Sequence, residues 1–310
     1  MGIGLLFPGQ ASQYPGMGKD LHDAYPVARR TFEEASEALS RDMAALCFLG
    51  TEEELRMTEN TQPAIFTVSV AAFRVLAAET GVRPVCAAGH SLGEYSALVA
   101  AGVLPLREAV RVLRSRGKYM QEAVPVGEGA MAAILGLSAE QVGEACRVGA
   151  AHGVVSPANF NGGGQVVISG AAKAVAVACE AAKAAGAKRA LPLPVSAPFH
   201  CALMRPAADR LAPELRAIPP GPFAFPVVAN VTAAPYGAGD VVADVLIRQI
   251  TAPVRWEESV IAMRAAGADA FLEVGPGKVL SGLLRRIEKD AASAVFCGPA
   301  DLDGAKGLTA

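Results

Sequence analysis

The sequence predicts an α/β protein in two parts: a large α/β domain, residues 1–126 and 198–310, interrupted by a small ferredoxin-like domain at 127–197. Three observations lead there. A short apolar run at 84–88 passes through a glycine-bounded turn, Gly89-His90-Ser91-Leu92-Gly93, into a helix-forming stretch at 92–101. Between 130 and 195 the pattern reads β-α-β-β-α-β, which is the ferredoxin-like order. Beyond it, apolar strand-like runs at 225–230 and 270–274 alternate again with helical segments. With 52% hydrophobic and 19% charged residues among 310, the chain has the apolar material for a sizeable core and too little charge for disorder.

Taken in order, residues 2–7 read as a buried strand: they are short and apolar, and they lack the basic start of a signal peptide. A loop rich in Gly, Pro and Gln fills 8–18, followed by a helix of period 3.6 at 25–39 and a second helical zone at 62–79. After the strand, turn and helix around Ser91, a further helix at 106–121 carries Arg107, Arg111, Arg114 and Arg116. In the small domain a strand at 130–135 meets Ser138-Ala139-Glu140-Gln141, the spacing of a capping box, which opens a helix to residue 147. A strand at 153–157, the turn Gly162-Gly163-Gly164, a strand at 165–169, a helix at 171–185 closed by Gly186 and a strand at 189–195 complete the unit. The chain after Cys297 reads as a loose tail.

Composition also excludes. A net charge of −2 gives no bulk attraction to nucleic acid or anionic membrane, so neither is an expected partner. The apolar stretch at 97–106 is interrupted by Gly102 and Pro105 and is too short to span a bilayer. The six cysteines form no C-x-x-C pair and no cluster with histidine, so neither a zinc site nor a disulfide framework is indicated, and a reducing cytoplasm fits best.

Gly89-His90-Ser91-Leu92-Gly93 fits G-x-S-x-G at a strand-to-helix junction, where a strained turn exposes the serine hydroxyl and small neighbours permit the bend. A serine nucleophile needs a base, and the chain offers four histidines. His90 adjoins Ser91 and should point away from it, His22 lies near a helix start, and His152 belongs to the small domain. His200 remains, following the stiff segment 194–199 where the chain leaves the small domain. No acidic residue between them is an obvious third member, so a Ser-His dyad is expected, with a backbone carbonyl or an amide side chain fixing the imidazole tautomer. The N–H of Leu92 at the helix start supplies one oxyanion donor, and the loop Pro8-Gly9-Gln10 is best placed for the other.

Phe7-Pro8-Gly9-Gln10, Gly89-His90-Ser91-Leu92-Gly93-Glu94-Tyr95, Arg116-Gly117-Lys118-Tyr119-Met120-Gln121, Asn159-Phe160-Asn161 with Gln165, Pro198-Phe199-His200 and Glu273-Val274-Gly275-Pro276-Gly277 together resemble the malonyl-CoA:acyl carrier protein transacylases, motif by motif and in the same order. The resemblance implies an α/β-hydrolase-like large domain with the ferredoxin-like one inserted, and an active site between them. It implies that Ser91 is acylated, that His200 is its base, that Gln10 and Leu92 give the oxyanion amides, and that the main chain of Gln249 positions the imidazole. Arg116 would bind the free carboxylate of malonyl, with Met120, Phe199 and Asn159 as further substrate-binding candidates. A charge-assisted arginine–carboxylate pair contributes about 1.5–3 kcal/mol, and a site built around it disfavours a plain acyl chain.

The expected activity is transfer of malonyl from malonyl-CoA to the phosphopantetheine thiol of acyl carrier protein, supplying fatty acid synthesis. A stand-alone malonyltransferase of a polyketide synthase is the alternative, and a serine acyl hydrolase or thioesterase a lesser one. A non-catalytic thioester binder would not need the elbow serine or His200. No cofactor is expected, coenzyme A entering as part of the substrate, and the chain is expected to act as a monomer. Two basic clusters are candidates for docking an acidic carrier: Lys183, Lys188 and Arg189, and Lys278, Arg285, Arg286 and Lys289.

Overall fold

The computed structural model describes residues 1–309. Its strands are β1 (Ile3–Phe7), β2 (Cys86–Gly89), β3 (Gly129–Leu135), β4 (Val155–Gly162), β5 (Gln165–Ala171), β6 (Arg189–Pro192), β7 (Val227–Ala229), β8 (Ala234–Pro235), β9 (Ala270–Val274) and β10 (Ala292–Phe296). They form two sheets. The larger runs β10-β9-β1-β2-β7-β8, parallel throughout except for the terminal β7–β8 hairpin. The smaller runs β4-β5-β3-β6 and is wholly antiparallel, the ferredoxin-like order.

Parallel strands covered on both faces read as continuous apolar runs, and β1 shows why. Ile3, Leu5 and Phe7 enter the core on one face, while Leu6 joins Ala88, Val228 and Trp256 on the other. Burying each such side chain contributes about 1.5–3 kcal/mol. The small sheet keeps its own core, in which Ile134, Val166 and Ile168 meet Val142 and Val175 of its two helices. The capping box forms as expected: Gln141 N–H donates to Ser138 Oγ at 3.2 Å and Ser138 N–H to Gln141 Oε1 at 2.9 Å.

Several boundaries differ from the sequence expectation. The helix at 62–79 is Thr58–Thr80, because Asn60 and Thr61, which lie before the expected start, are buried and hydrogen-bonded within the fold. By length and composition this helix could cross a membrane, but 78% of its apolar window is buried inside the molecule, which makes it the core helix. β4 continues past 157 to Gly162 through two register shifts, and its Asn159 bridges Val254 of the large part. β6 stops at Pro192, short of 195. The expected tail is ordered: Pro299–Asp301 forms a 3₁₀ turn and Leu302–Thr309 a helix, with Asp301 accepting from the N–H groups of Cys297 and Gly298 and Ala305 buried.

Candidate active site

Ser91 lies between the end of β2 and the helix Gly93–Ala100, with φ at 54°. The flanking glycines are required by contact rather than by flexibility. A Cβ on Gly89 would fall 1.9 Å from the Gly93 carbonyl carbon, and one on Gly93 would fall 2.2 Å from Phe7 O. The left-handed serine is held by Asn230, whose Oδ1 accepts from Ser91 N–H at 2.8 Å and whose Nδ2 donates to Gly89 O at 2.7 Å.

Ser91 Oγ is 2.7 Å from His200 Nε2. His200 Nδ1 faces two carbonyl oxygens, Gln249 at 2.9 Å and Ala252 at 3.2 Å. Carbonyls only accept, so Nδ1 carries the proton and Nε2 is left bare to receive the one from Ser91. The ring is buried, and that burial, together with the nearby Arg116 charge, lowers its pKa to about 3. No carboxylate among the described residues touches it.

Arg116 is 2% exposed. Its Nη1 donates to Gln62 Oε1 at 2.8 Å, and its Nη2 donates to both Gln249 Oε1 at 3.0 Å and Ser91 Oγ at 3.2 Å. Nε has no partner among the described residues, nor does any carboxylate pair with the guanidinium. A buried cation with no carboxylate in contact, touching a nucleophile, has the chemistry to hold an anion.

Ser91, His200 and Arg116 open on one cavity, into which Gln10 and Leu92 also face. Met120, Asn159 and Phe199 also line it, as does Met131, so the small sheet contributes a side through β3 and β4. The backbone N–H groups of Gln10 and Leu92 donate to no protein acceptor among the described residues, which leaves both available to an oxyanion. The loop carrying Gln10 lies against the elbow; a Cβ on Gly9 would sit 2.5 Å from His90 O. His90 directs Nε2 to Asn161 Oδ1, 3.0 Å away, and packs at a tilt against Trp256, and it makes no bond to Ser91.

Sequence reasoning passed over Gln62 and Asn230. Both are amides whose partners lie 54 and 139 positions away, so no local pattern marks them. Position gave one available signal for Asn230, since it directly follows a strand of a parallel sheet, and the carboxyl ends of such strands line binding crevices.

Residues 5–303 match the acyl transferase domain family. Among curated proteins, the malonyl CoA-acyl carrier protein transacylase of Escherichia coli O157:H7 is 55% identical over 282 residues, 91% of each chain. The solved structure of the malonyl CoA-acyl carrier protein transacylase from Coxiella burnetii superposes with a TM-score of 0.97 at 43% identity, covering 100% of this chain and 98% of that one. A malonyl-transacylase solved in complex with its type II PKS acyl-carrier protein superposes at 0.96 with 49% identity, covering 99% of this chain and 100% of its own.

Proposed function

This chain belongs to the malonyl-CoA:acyl carrier protein transacylases of the acyl transferase family, and on that premise we propose that it carries malonyl between thioesters as an ester of Ser91. The observation that carries the reading is the placing of two different groups on one oxygen: His200 Nε2 at 2.7 Å and Arg116 Nη2 at 3.2 Å from Ser91 Oγ. In a malonyl thioester a single methylene separates the reacting carbonyl from the free carboxylate. A cation that holds the carboxylate must therefore lie within a few ångströms of the nucleophile.

In the first half-reaction Ser91 Oγ–H gives its proton to His200 Nε2 while Oγ attacks the thioester carbonyl. The amides of Gln10 and Leu92 hold the oxyanion, the C–S bond breaks, and coenzyme A leaves with the proton from His200. The second half-reaction reverses the roles: His200 takes the proton of the phosphopantetheine thiol, sulfur attacks the malonyl-Ser91 ester, and the proton returns to Ser91 Oγ. Gln249 O keeps the tautomer correct for both. Arg116 pairs with the malonyl carboxylate, and Met120, Phe199 and Asn159 shape the space beside it. Substrates enter between the large domain, 1–126 and 198–310, and the small domain, 127–197.

Action as a monomer is the state we assign. Cysteines that are all unpaired, five of them buried, support a reducing cytoplasm. Fatty acid synthesis is the supply we assign. The likeness to a transacylase solved with a type II PKS carrier favours a polyketide carrier as the second reading.

Intact-mass analysis after mixing with malonyl-CoA is expected to show one malonyl adduct, absent from Ser91→Ala. Release of coenzyme A beyond one equivalent should then depend stoichiometrically on carrier protein, and comparing carriers from the two pathways separates the two supplies. Continuous release without carrier would mean hydrolysis and overturn the transfer reading.

A further inference from the structure

A serine nucleophile and its histidine usually come with an acid, yet no carboxylate among the described residues contacts His200. One lies a layer further back. Glu94, in the first turn of the elbow helix, is fully buried and receives three hydrogen bonds: Tyr236 Oη donates to Oε1 at 2.5 Å, and Gln249 Nε2 and the Asn230 N–H donate to Oε2 at 2.7 and 3.1 Å. Burial raises the pKa of Glu94, while the three donors and the Arg116 charge oppose that rise and favour the ionised form, in which the carboxylate accepts all three bonds.

The two amides that Glu94 holds are the two that hold the reacting groups. Asn230 grips the elbow at Gly89 O and Ser91 N–H. Gln249 gives its main-chain oxygen to His200 Nδ1, its Nε2 also to Ser91 O at 2.9 Å, and its Oε1 to Arg116 Nη2. The two acceptors Glu94 Oε2 and Ser91 O together make Gln249 present Nε2 inward, with the shorter bond to Glu94, which leaves Oε1 as the end that faces Arg116. If the amide turned over, N–H would meet guanidinium N–H and the anchoring of the arginine would be lost.

We propose that Glu94 is a positioning residue for acyl selection: through the Gln249 amide it orients Arg116, and by standing one residue away rather than in contact it leaves the guanidinium free for the substrate carboxylate. A carboxylate placed directly on Arg116 would occupy the position malonyl must take. No negative charge nearby would leave a buried cation uncompensated. Separating the ions by one amide meets both needs. This inference rests on the roles given above to Ser91, His200 and Arg116.

The test compares single-turnover loading by malonyl-CoA and acetyl-CoA in the wild type, Glu94→Gln, Tyr236→Phe and, as reference, Arg116→Ala. Glu94→Gln is expected to lower the malonyl-to-acetyl ratio of kcat/KM by about tenfold or more, with a raised KM for malonyl-CoA, in line with the effect of losing an outer-layer partner. Tyr236→Phe, which keeps the carboxylate and removes one donor, should shift the ratio in the same direction by about threefold. A purely structural role predicts equal losses for both substrates, so an unchanged ratio in both variants overturns the proposal, whatever the total activity. Should Glu94→Gln fail to fold, Tyr236→Phe decides alone. An unchanged ratio in Arg116→Ala places the failure in the parent assignment instead.

Discussion

Burial and the Arg116 charge hold His200 at about 3, far below an ordinary histidine near 6.5. The free enzyme therefore keeps a neutral base well into acid, and kcat/KM for malonyl loading is expected to vary less than about threefold between pH 5 and 7.5. An acidic limb centred near 6.5 would show that His200 is solvated. The same shift acts on stability. Between the two values the unfolded chain takes up a proton that the native state does not, so stability is present above about 6.5 and lost as the pH falls toward 3. His90, whose pKa burial also lowers, acts in the same direction. His200→Gln should accordingly flatten the fall in Tm between pH 6.5 and 4, while slowing acylation by about two to four powers of ten. Arg116→Ala is expected to cut malonyl loading about 10- to 100-fold and leave acetyl loading equal or faster, because a buried cation beside the nascent imidazolium is gone. Malonyl loading within about threefold of wild type would mean the carboxylate is held elsewhere. Ser91 and His200 were legible in the sequence because a turn motif and a count of four histidines leave few choices. Glu94 lies inside the quoted motif, but its partner is an amide 155 residues away, which no local spacing reveals.

Secondary elements were legible where packing and local preference agree. β1 is uniformly apolar, β9 is apolar but for the buried Glu273, and the helix at Ala139–Gly149 carries its own cap, so all three lie close to their expected ranges. The C-terminal helix was missed because Gly304 and Gly307 weaken its local propensity, and it is held instead by Asp301 at the preceding turn and by burial of Ala305. Glu273 of the Glu-Val-Gly-Pro-Gly motif has a comparable role. Its carboxylate accepts from Leu280 and Ser281 N–H at 3.0 and 2.7 Å, fixing the start of the helix Val279–Ile287. The elbow makes the sharpest demand on sequence. Gly93→Ala would drive a Cβ against the backbone of β1, so we expect a Tm lowered by about 10 °C or more, or insoluble protein, together with lost loading. Gly143→Ala is the control: it lies within a helix with nothing within 4 Å of the new methyl, and should stabilise by about 0.5–1 kcal/mol. Equal melting curves for Gly93→Ala and the wild type would mean that the elbow can relax.

At the scale of the whole molecule, the fold joins what the sequence presents as two separate basic clusters. The β4–β5 turn at 162–164 is the seam: Gly164 O accepts from Gly136 N–H at 2.9 Å, a Cβ on Gly136 would lie 2.7 Å from Lys188 Cγ, and one on Gly163 would lie 2.6 Å from Arg286 Cβ. Lys188 of the small lobe and Arg286 of the large one thus flank the same turn. Lys188, Arg189, Arg285, Arg286 and Lys289 are all exposed and pair with no carboxylate among the described residues, whereas Lys183 is paired with Glu180. On a chain of net charge −2, such a patch, which Glu257 also borders at Gly162, is a local basic excess able to attract an acidic carrier protein. Acting as one surface, its two halves should respond alike: Lys188→Glu/Arg189→Glu and Arg285→Glu/Arg286→Glu are each expected to raise the KM for carrier by about threefold or more at low salt. Combining all four should give less than the product of the separate effects, since neighbouring charges acting on one partner are not independent. Loading of Ser91 by malonyl-CoA should stay unchanged in every variant, and added salt should erase the differences. Carrier kinetics equal to wild type in both pairs at low salt would move docking to another face of the molecule, and an effect confined to one pair would reduce the surface to a single lobe.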